Sequence, residues 1–364
     1  MTIPQRTGFE AIPSYKQGTL PKPVDGLEPF KLSSNENPYP PLPSVAEVVA
    51  AAVGSINLYP SMSADALTGA LAERWHVAPE SIALGAGSVE VASQLIHAAT
   101  NPGDQVMFAW RSFEAYPILA TVAGAVPQPV PLTPEGGHDL PAMAAALTPR
   151  TRVIFLCNPN NPTGAALTAS AVEQFLAAVP SNVLVVIDEA YLHFNKHSET
   201  AIGIDLFRRH SNVVVLHTFS KAYGLAGLRL GYAIGGPEVI ANLRKAAIPF
   251  AVTALAQAAG IASLDAEKEL QERIDVLVAE RQRVYAGLLD AGLPVLPSQA
   301  NFLWLDSGVQ TEAVAKVFEA NALSIRAFPG EGIRISVGTP ESNDRVLAAA
   351  RQAASLLNFP SLIA

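Results

Sequence analysis

The chain has 364 residues, 49% apolar and 15% charged, with a net charge of −8 and a single cysteine, Cys157. That balance reads as a folded globular protein rather than a disordered one, and it argues against a nucleic-acid surface because no basic block is present. One cysteine excludes an intramolecular disulfide and a cysteine-based zinc site, which fits a reducing cytosol. No apolar run approaches the ~18 residues that a bilayer span needs, and the mixed, polar segment Met1–Glu10 is unlike a signal peptide. The expectation is a cytoplasmic protein with neither membrane nor nucleic-acid partners, long enough for two domains.

In chain order, residues 1–43 are rich in Pro, Gly and Ser and lack periodicity, which predicts an extended arm. From Val45 onward, helical stretches alternate with short apolar runs. Strands are predicted at Val106–Ala109, Arg152–Leu156, Val183–Ile187, Val213–Leu216 and Leu230–Ile234, and helices at Val89–Ala99, Thr168–Ala178 and Ile202–Arg209. This alternation predicts an α/β domain over 44–250 with a mostly parallel sheet. Near Pro249-Phe250 the pattern changes. A long helix is predicted from about Ala254 to Ala291, then strands at Asn301–Leu305, Leu323–Arg326 and Gly332–Val337. A closing helix over Glu341–Leu357 completes a smaller α+β domain, 251–364.

In an open parallel sheet, ligands bind beyond the carboxyl ends of the strands. Three predicted strands end in polar residues there. One runs into Cys157-Asn158-Pro159-Asn160-Asn161, one into Asp188-Glu189-Ala190-Tyr191, and one into Thr218-Phe219-Ser220-Lys221. A lysine between an apolar strand and a small-residue loop reads either as an ordinary surface charge or as a desolvated amine, whose lowered pKa would let it attack carbonyls. Thr218, Ser220 and Arg229 around it are suited to a phosphate. A lysine amine beside a phosphate clamp is the equipment for holding pyridoxal 5′-phosphate. Against such a ring, Asp188 would keep the pyridine nitrogen protonated, and Tyr191 and Asn161 would hydrogen-bond the phenolate oxygen. Singly, these residues also read as turn formers or helix caps. Together, at the ends of neighbouring strands, they read as a site.

The run Ile82-Ala83-Leu84-Gly85-Ala86-Gly87-Ser88-Val89-Glu90 reads as a strand, a glycine turn and a helix start whose free amides suit a phosphate. A dinucleotide fingerprint is the competing reading and fails at its third glycine, where Glu90 stands. Phe113 either stacks on a cofactor ring or packs as a loop aromatic. Arg334, on an alternating strand, is either a bidentate grip for a carboxylate or a strand-edge charge. The histidines show no metal-ligand spacing, so no metal is expected.

With these residues assembled, the chain resembles the fold type I pyridoxal-phosphate aminotransferases, and within them the histidinol-phosphate aminotransferase family. The likeness runs through Ile12–Gly18, Leu32–Pro38, Asn57–Pro60, Gly87-Ser88, Asn158–Gly164, Asp188–Tyr191, Ser220–Arg229 and Gly332–Gly338. It implies Lys221 as the Schiff-base lysine and catalytic base, and Asp188 as the partner of the pyridine nitrogen. It implies Ser88, Thr218, Ser220 and Arg229 on the phosphate, with Gly87 and Val89 beside them. Arg334 would bind a substrate carboxylate, assisted by Tyr15 and Arg326. Tyr59 matches a tyrosine that reaches the other subunit's cofactor, so the resemblance implies a homodimer with shared active sites, the arm packing on the small domain and the partner.

The segment Ala109-Trp110-Arg111-Ser112-Phe113 departs from the proline-rich segment and tyrosine of many histidinol-phosphate enzymes and looks like the aromatic amino acid branch of the family. The expected reaction is ping-pong transfer of an amino group from phenylalanine, tyrosine or tryptophan to 2-oxoglutarate. The alternative donor is histidinol phosphate. A decarboxylase or lyase of the same fold, a pyridoxal-phosphate-binding regulator and a nicotinamide oxidoreductase are the remaining rivals.

Overall fold

The computed structural model describes Ile3 and residues 9–356. At its centre is a seven-stranded sheet in the order Ile82–Gly85, Gly231–Ile234, Val213–Thr218, Leu184–Asp188, Thr151–Cys157, Gln105–Trp110, Val126–Pro131. Strand Val213–Thr218 is buried at every position, as is Leu184–Asp188. Both are covered by helices on both faces, which is why their sequences run apolar without alternation. The architecture is α/β, with ladders parallel from Val213–Thr218 to the Val126–Pro131 edge.

Strand Gly231–Ile234 is antiparallel to both of its neighbours. The reason is the length of its connection. A parallel return needs a crossover, usually a helix, and residues 219–230 hold only a 3₁₀ turn, Ala226–Leu228. The chain therefore turns back at the edge it has just reached, with Thr218 opposite Gly231. This short return keeps Ser220, Lys221 and Arg229 at the carboxyl edge of the sheet.

Edge strand Val126–Pro131 is absent from the sequence expectation because its prolines at 127, 129 and 131 read as loop. They fit because they alternate. Val126 N donates to Asp104 O and Leu132 N to Trp110 O, so the even positions face the neighbouring strand and the prolines turn their missing donors outward.

The C-terminal part contains an antiparallel sheet in the order Arg326–Phe328, Gly332–Ser336, Phe302–Leu305, Val295–Leu296. Its core gathers Leu303, Ile333, Ile335, Phe318, Val346 and Leu288. From the arm, Phe30–Lys31 pairs parallel with Leu323–Ser324, so the strand expected over 323–326 is divided between two sheets. The long helix expected over 254–291 is two, Ala254–Asp265 and Glu267–Asp290. Ala266 leaves helical geometry at φ −95°, ψ 23°, and Glu267 and Glu269 then occupy the first turn of the second helix, where carboxylates are favoured. The closing helix is Pro340–Ala353, followed by a 3₁₀ turn Ala354–Leu356. Leu357, where that helix was expected to end, lies outside the described residues, as does most of Met1–Glu10. No helix among the described residues is long and apolar enough to cross a membrane.

One buried cation ties the second helix of this pair to a loop of the central sheet and to the segment that enters strand Phe302–Leu305 of the second sheet. Arg281 is 4% exposed and donates from Nη1 to Phe194 O and to Ala300 O, both at 2.9 Å. Burial lowers its pKa to about 10, so both carbonyls are satisfied by one desolvated guanidinium. Arg281→Ala leaves two buried acceptors unpaired and a cavity. We expect a loss of about 3 kcal/mol in stability measured by urea unfolding; an unchanged midpoint would mean water replaces the guanidinium without cost.

Candidate active site

A cleft of about 430 Å³ opens at the carboxyl ends of the central strands, between them and the second sheet. Lining it are Tyr15, Ser88, Val89, Phe113, Asn161, Asp188, Tyr191, Thr218, Ser220, Lys221, Arg229, Arg326 and Arg334. Of the residues singled out from sequence, only Gly87 and Tyr59 are not on its wall.

Asp188 ends strand Leu184–Asp188 and is 4% exposed. Its Oδ2 accepts a 2.6 Å hydrogen bond from Tyr116 Oη, and Oδ1 accepts one from Ala190 N at 3.2 Å. Burial raises its pKa to about 6, and these two bonds pull in the opposite direction. Lys221 Nζ donates to Ser34 O at 3.0 Å. Burial, followed by the positive charge of Arg334, lowers its pKa to about 7. An amine in that state is half neutral at neutral pH and needs no further activation to attack a carbonyl.

Arg334 is 8% exposed. Nη1 donates to Asn161 Oδ1 at 2.6 Å and Nη2 to Ser33 O at 2.8 Å, while Nε has no partner among the described residues. No carboxylate among the described residues forms an ion pair with it. A buried guanidinium held only by neutral acceptors is suited to receive an anion.

At the opposite end, helix Ser88–Ala99 presents its N-terminus without a side-chain cap. Gly87 has φ +82°, and a Cβ there would come within 2.2 Å of Arg229 Nη2. Gly87 therefore does not line the cleft but makes room for the guanidinium that does. Arg229 donates from Nη1 to Ser220 Oγ at 3.4 Å and to Ala226 O at 3.1 Å, and has no carboxylate partner among the described residues. Helix-start amides, two hydroxyls and a guanidinium held only by neutral acceptors make an anion cradle of phosphate size.

Tyr191 is 4% exposed, and its Oη accepts from Asn35 Nδ2 at 3.0 Å. Phe113 stands edge-on to Tyr15 at 6.3 Å and to Tyr116 at 5.5 Å. Tyr59 is 83% exposed and stacks at 4.8 Å on Phe250, in a neighbourhood of exposed Ile56, Leu58, Met62 and Ile248. Among the described residues, no group of three or more His, Cys, Asp or Glu is placed to hold a metal.

Sequence reasoning missed three contributors. Asn35, at φ +53°, connects the arm to Tyr191, Ser336 and Asn301. Tyr116 fixes Asp188, and Glu114 pairs with Arg326. The left-handed Asn35 has a weak local signal, since Asn tolerates that conformation. The other two act across the fold and leave none.

A family model described as aminotransferase class I and II matches residues 28–350. The chain belongs to that family. It is 53% identical over 353 residues to an aromatic amino acid aminotransferase of Cutibacterium acnes, covering 97% of this chain and 99% of the relative. A Streptomyces avermitilis aromatic amino acid aminotransferase is also 53% identical, over 93% of this chain and 94% of its own. The fold superposes with TM-score 0.84 on the histidinol-phosphate aminotransferase from Sinorhizobium meliloti solved in complex with pyridoxal-5′-phosphate. That structure is 28% identical, and the match covers 90% of this chain and 91% of that one. The enzyme is thus an aminotransferase, with the fold of its type I relatives.

The Lys221 pKa carries a sign that can be checked. Because its pKa is lowered to about 7, the amine loses its proton well before an ordinary lysine. The rate at which the apoprotein reacts with pyridoxal phosphate should rise with pH around a midpoint near that value and then level off. Arg334→Met removes a positive neighbour and should move the midpoint upward. A midpoint in the ordinary lysine range would contradict the desolvated site.

Proposed function

We propose that this aminotransferase holds pyridoxal 5′-phosphate in the cleft and transfers the amino group of phenylalanine, tyrosine or tryptophan to 2-oxoglutarate by a ping-pong route. The observation that carries the proposal is the conjunction, in one cleft, of the pKa-lowered Lys221, the buried Asp188, the Ser88–Arg229 cradle and the anion-deficient Arg334. The residues present fit the cofactor. The cradle lies with Thr218 and Ser220 at one end, Asp188 is held in reach of a ring nitrogen, and Phe113 is available to cover a ring face. Gly231 extends the fit, because a Cβ there would meet Ser88 N at 2.3 Å and push the cradle's helix start away.

When bound, pyridoxal phosphate supplies an electron sink for the charge left when an amino acid loses its α-proton. The protein's residues do the rest. Asp188 would face the ring nitrogen as a carboxylate, with Tyr116 holding its Oδ2. Tyr191 and Asn161 are the donors for the ring oxygen. Lys221 Nζ would take the proton from the donor's α-carbon and pass it to the cofactor carbon that carries the nitrogen, and would run the same movement in reverse for the acceptor. Arg334 receives the substrate carboxylate, which completes its charge and fixes the α-carbon against Lys221. Phe113, Ile118, Leu119 and Phe328 give the cleft an apolar wall. A phenyl ring gains about 25 cal/mol per Å² buried against such a wall, in line with what the curated relatives are named for.

We read residues 1–43 as an arm, 44–250 as the cofactor-binding domain and 251–364 as a smaller domain. Two copies would pair through the exposed surface around Tyr59 and Phe250, with Tyr59 of each copy reaching toward the other copy's phosphate cradle. A cytoplasmic setting is supported by the lone, buried Cys157.

Lys221→Ala should abolish turnover and the visible absorbance of the cofactor-loaded protein after dialysis; retention of both would place the reactive amine elsewhere. In wild type, phenylalanine, tyrosine and tryptophan should bleach that band and release their 2-oxo acids without CO₂. A response to histidinol phosphate alone would transfer the assignment to that donor, and CO₂ release would make the enzyme a decarboxylase. Arg334→Met should raise KM for donor and acceptor by about 100-fold, the cost of a lost bidentate carboxylate contact.

A further inference from the structure

Two ion pairs of opposite polarity join the segment after strand Gln105–Trp110 to residues 326–331 of the second sheet. Arg111, from the turn after strand Gln105–Trp110, pairs with Glu331, its Nε 2.6 Å from Oε2. Its guanidinium is sandwiched 4.5 Å from the Trp110 ring and 5.2 Å from Phe328. Three residues on, Glu114 Oε2 accepts a 2.6 Å bond from Arg326 Nη2. Only the second pair faces the cleft. Glu114 and Arg326 are on its wall, and Arg111 and Glu331 are not.

Arg326 is also directly opposite Arg334 in the antiparallel ladder of the second sheet. Side chains in such a pair project from the same face, and like charges there repel. The structure treats the two differently. Arg334 has only an amide oxygen and a main-chain carbonyl, whereas Arg326, with a side chain 11% exposed, has the carboxylate of Glu114. Of two adjacent guanidiniums, one is kept free for an incoming anion and the other is already neutralised.

We propose that Glu114 is a specificity-determining residue: by pairing with Arg326 it leaves the cleft one free carboxylate receptor and disfavours substrates with a second anionic group. The inference rests on the aminotransferase reading of the cleft. A substrate with an uncharged aromatic side chain meets Arg334 through its carboxylate and leaves the Glu114–Arg326 pair intact. A dicarboxylate, or a phosphorylated side chain, gains a second cation only by displacing Glu114. That penalty applies to a dicarboxylate acceptor as well as to an acidic donor, so Glu114 sets the ratio between the two kinds of substrate without touching the reacting atoms.

The test uses unreactive carboxylates, so that binding is separated from turnover. The cofactor-loaded protein is titrated calorimetrically with 3-phenylpropionate and with glutarate, in wild type, E114Q, R326Q and the double variant E114Q/R326Q. Glutarate should bind E114Q about 10-fold more tightly than wild type, the effect of one charge-assisted contact made available. Affinity for 3-phenylpropionate should change by less than about 2-fold, since an uncharged side chain makes no contact of that strength with either residue. The gain for glutarate should vanish in the double variant, because it requires Arg326. Glu114→Ser carries the same expectation and serves if the glutamine variant does not fold. Glutarate binding that is unchanged or weaker in E114Q, or a gain that survives in the double variant, would overturn the assignment. Wild type failing to consume phenylalanine would remove the substrate reading while leaving the charge competition to be judged on the glutarate result.

Discussion

The site is organised around a buried cation held only by neutral acceptors. Desolvating a guanidinium is costly unless a carboxylate or a full set of acceptors compensates, and Arg334 is given only Asn161 Oδ1 and Ser33 O. Its charge is therefore available to a substrate, and it also acts on Lys221, where it is the second cause of the lowered pKa after burial. In the proposed function, one charge would both receive the carboxylate and add to the larger effect of burial on the neighbouring amine. The arm contributes to both, since Ser33 O holds Arg334 and Ser34 O holds Lys221.

Strand direction determines which groups meet. Parallel ladders bring Asn158, Asp188 and the chain after Thr218 to a common edge. The short return through residues 219–230 keeps the lysine and the cradle arginine there, and Gly231 sits directly beneath Ser88. In the proposed function, anions would be received at the Arg229 cradle and at Arg334, and Asp188 lines the same cleft. Glu189, next to Asp188, faces away. Burial raises its pKa to about 8, and it accepts from Gly203 N at 2.6 Å and lies 3.4 Å from His217. Adjacent carboxylates on one strand end thus have separate surroundings.

Much of this was legible in the sequence, for a physical reason. Lys221, Asp188 and Asn161 follow apolar runs that have few alternatives to being buried strands, so their position at a sheet edge could be read locally. Arg334 was legible as a charge on an alternating strand, though its lack of a counter-ion was not. Tyr116, Asn35 and Glu114 act through partners 72, 156 and 212 residues away, and no local pattern records such contacts. The fold was misread where local signals conflict with tertiary ones. Prolines disguised the edge strand Val126–Pro131, and an unbroken helical composition concealed the break at Ala266.

In the proposed function a single amine, Lys221, meets the cofactor's aldehyde in a cleft whose burial lowers its pKa. The most direct measurement is to load the protein with pyridoxal phosphate, reduce with borohydride, digest, and locate the stable pyridoxyl group by mass spectrometry. The account predicts one label, on the peptide carrying Lys221. A label on another lysine, with Lys221 unmodified, would contradict it.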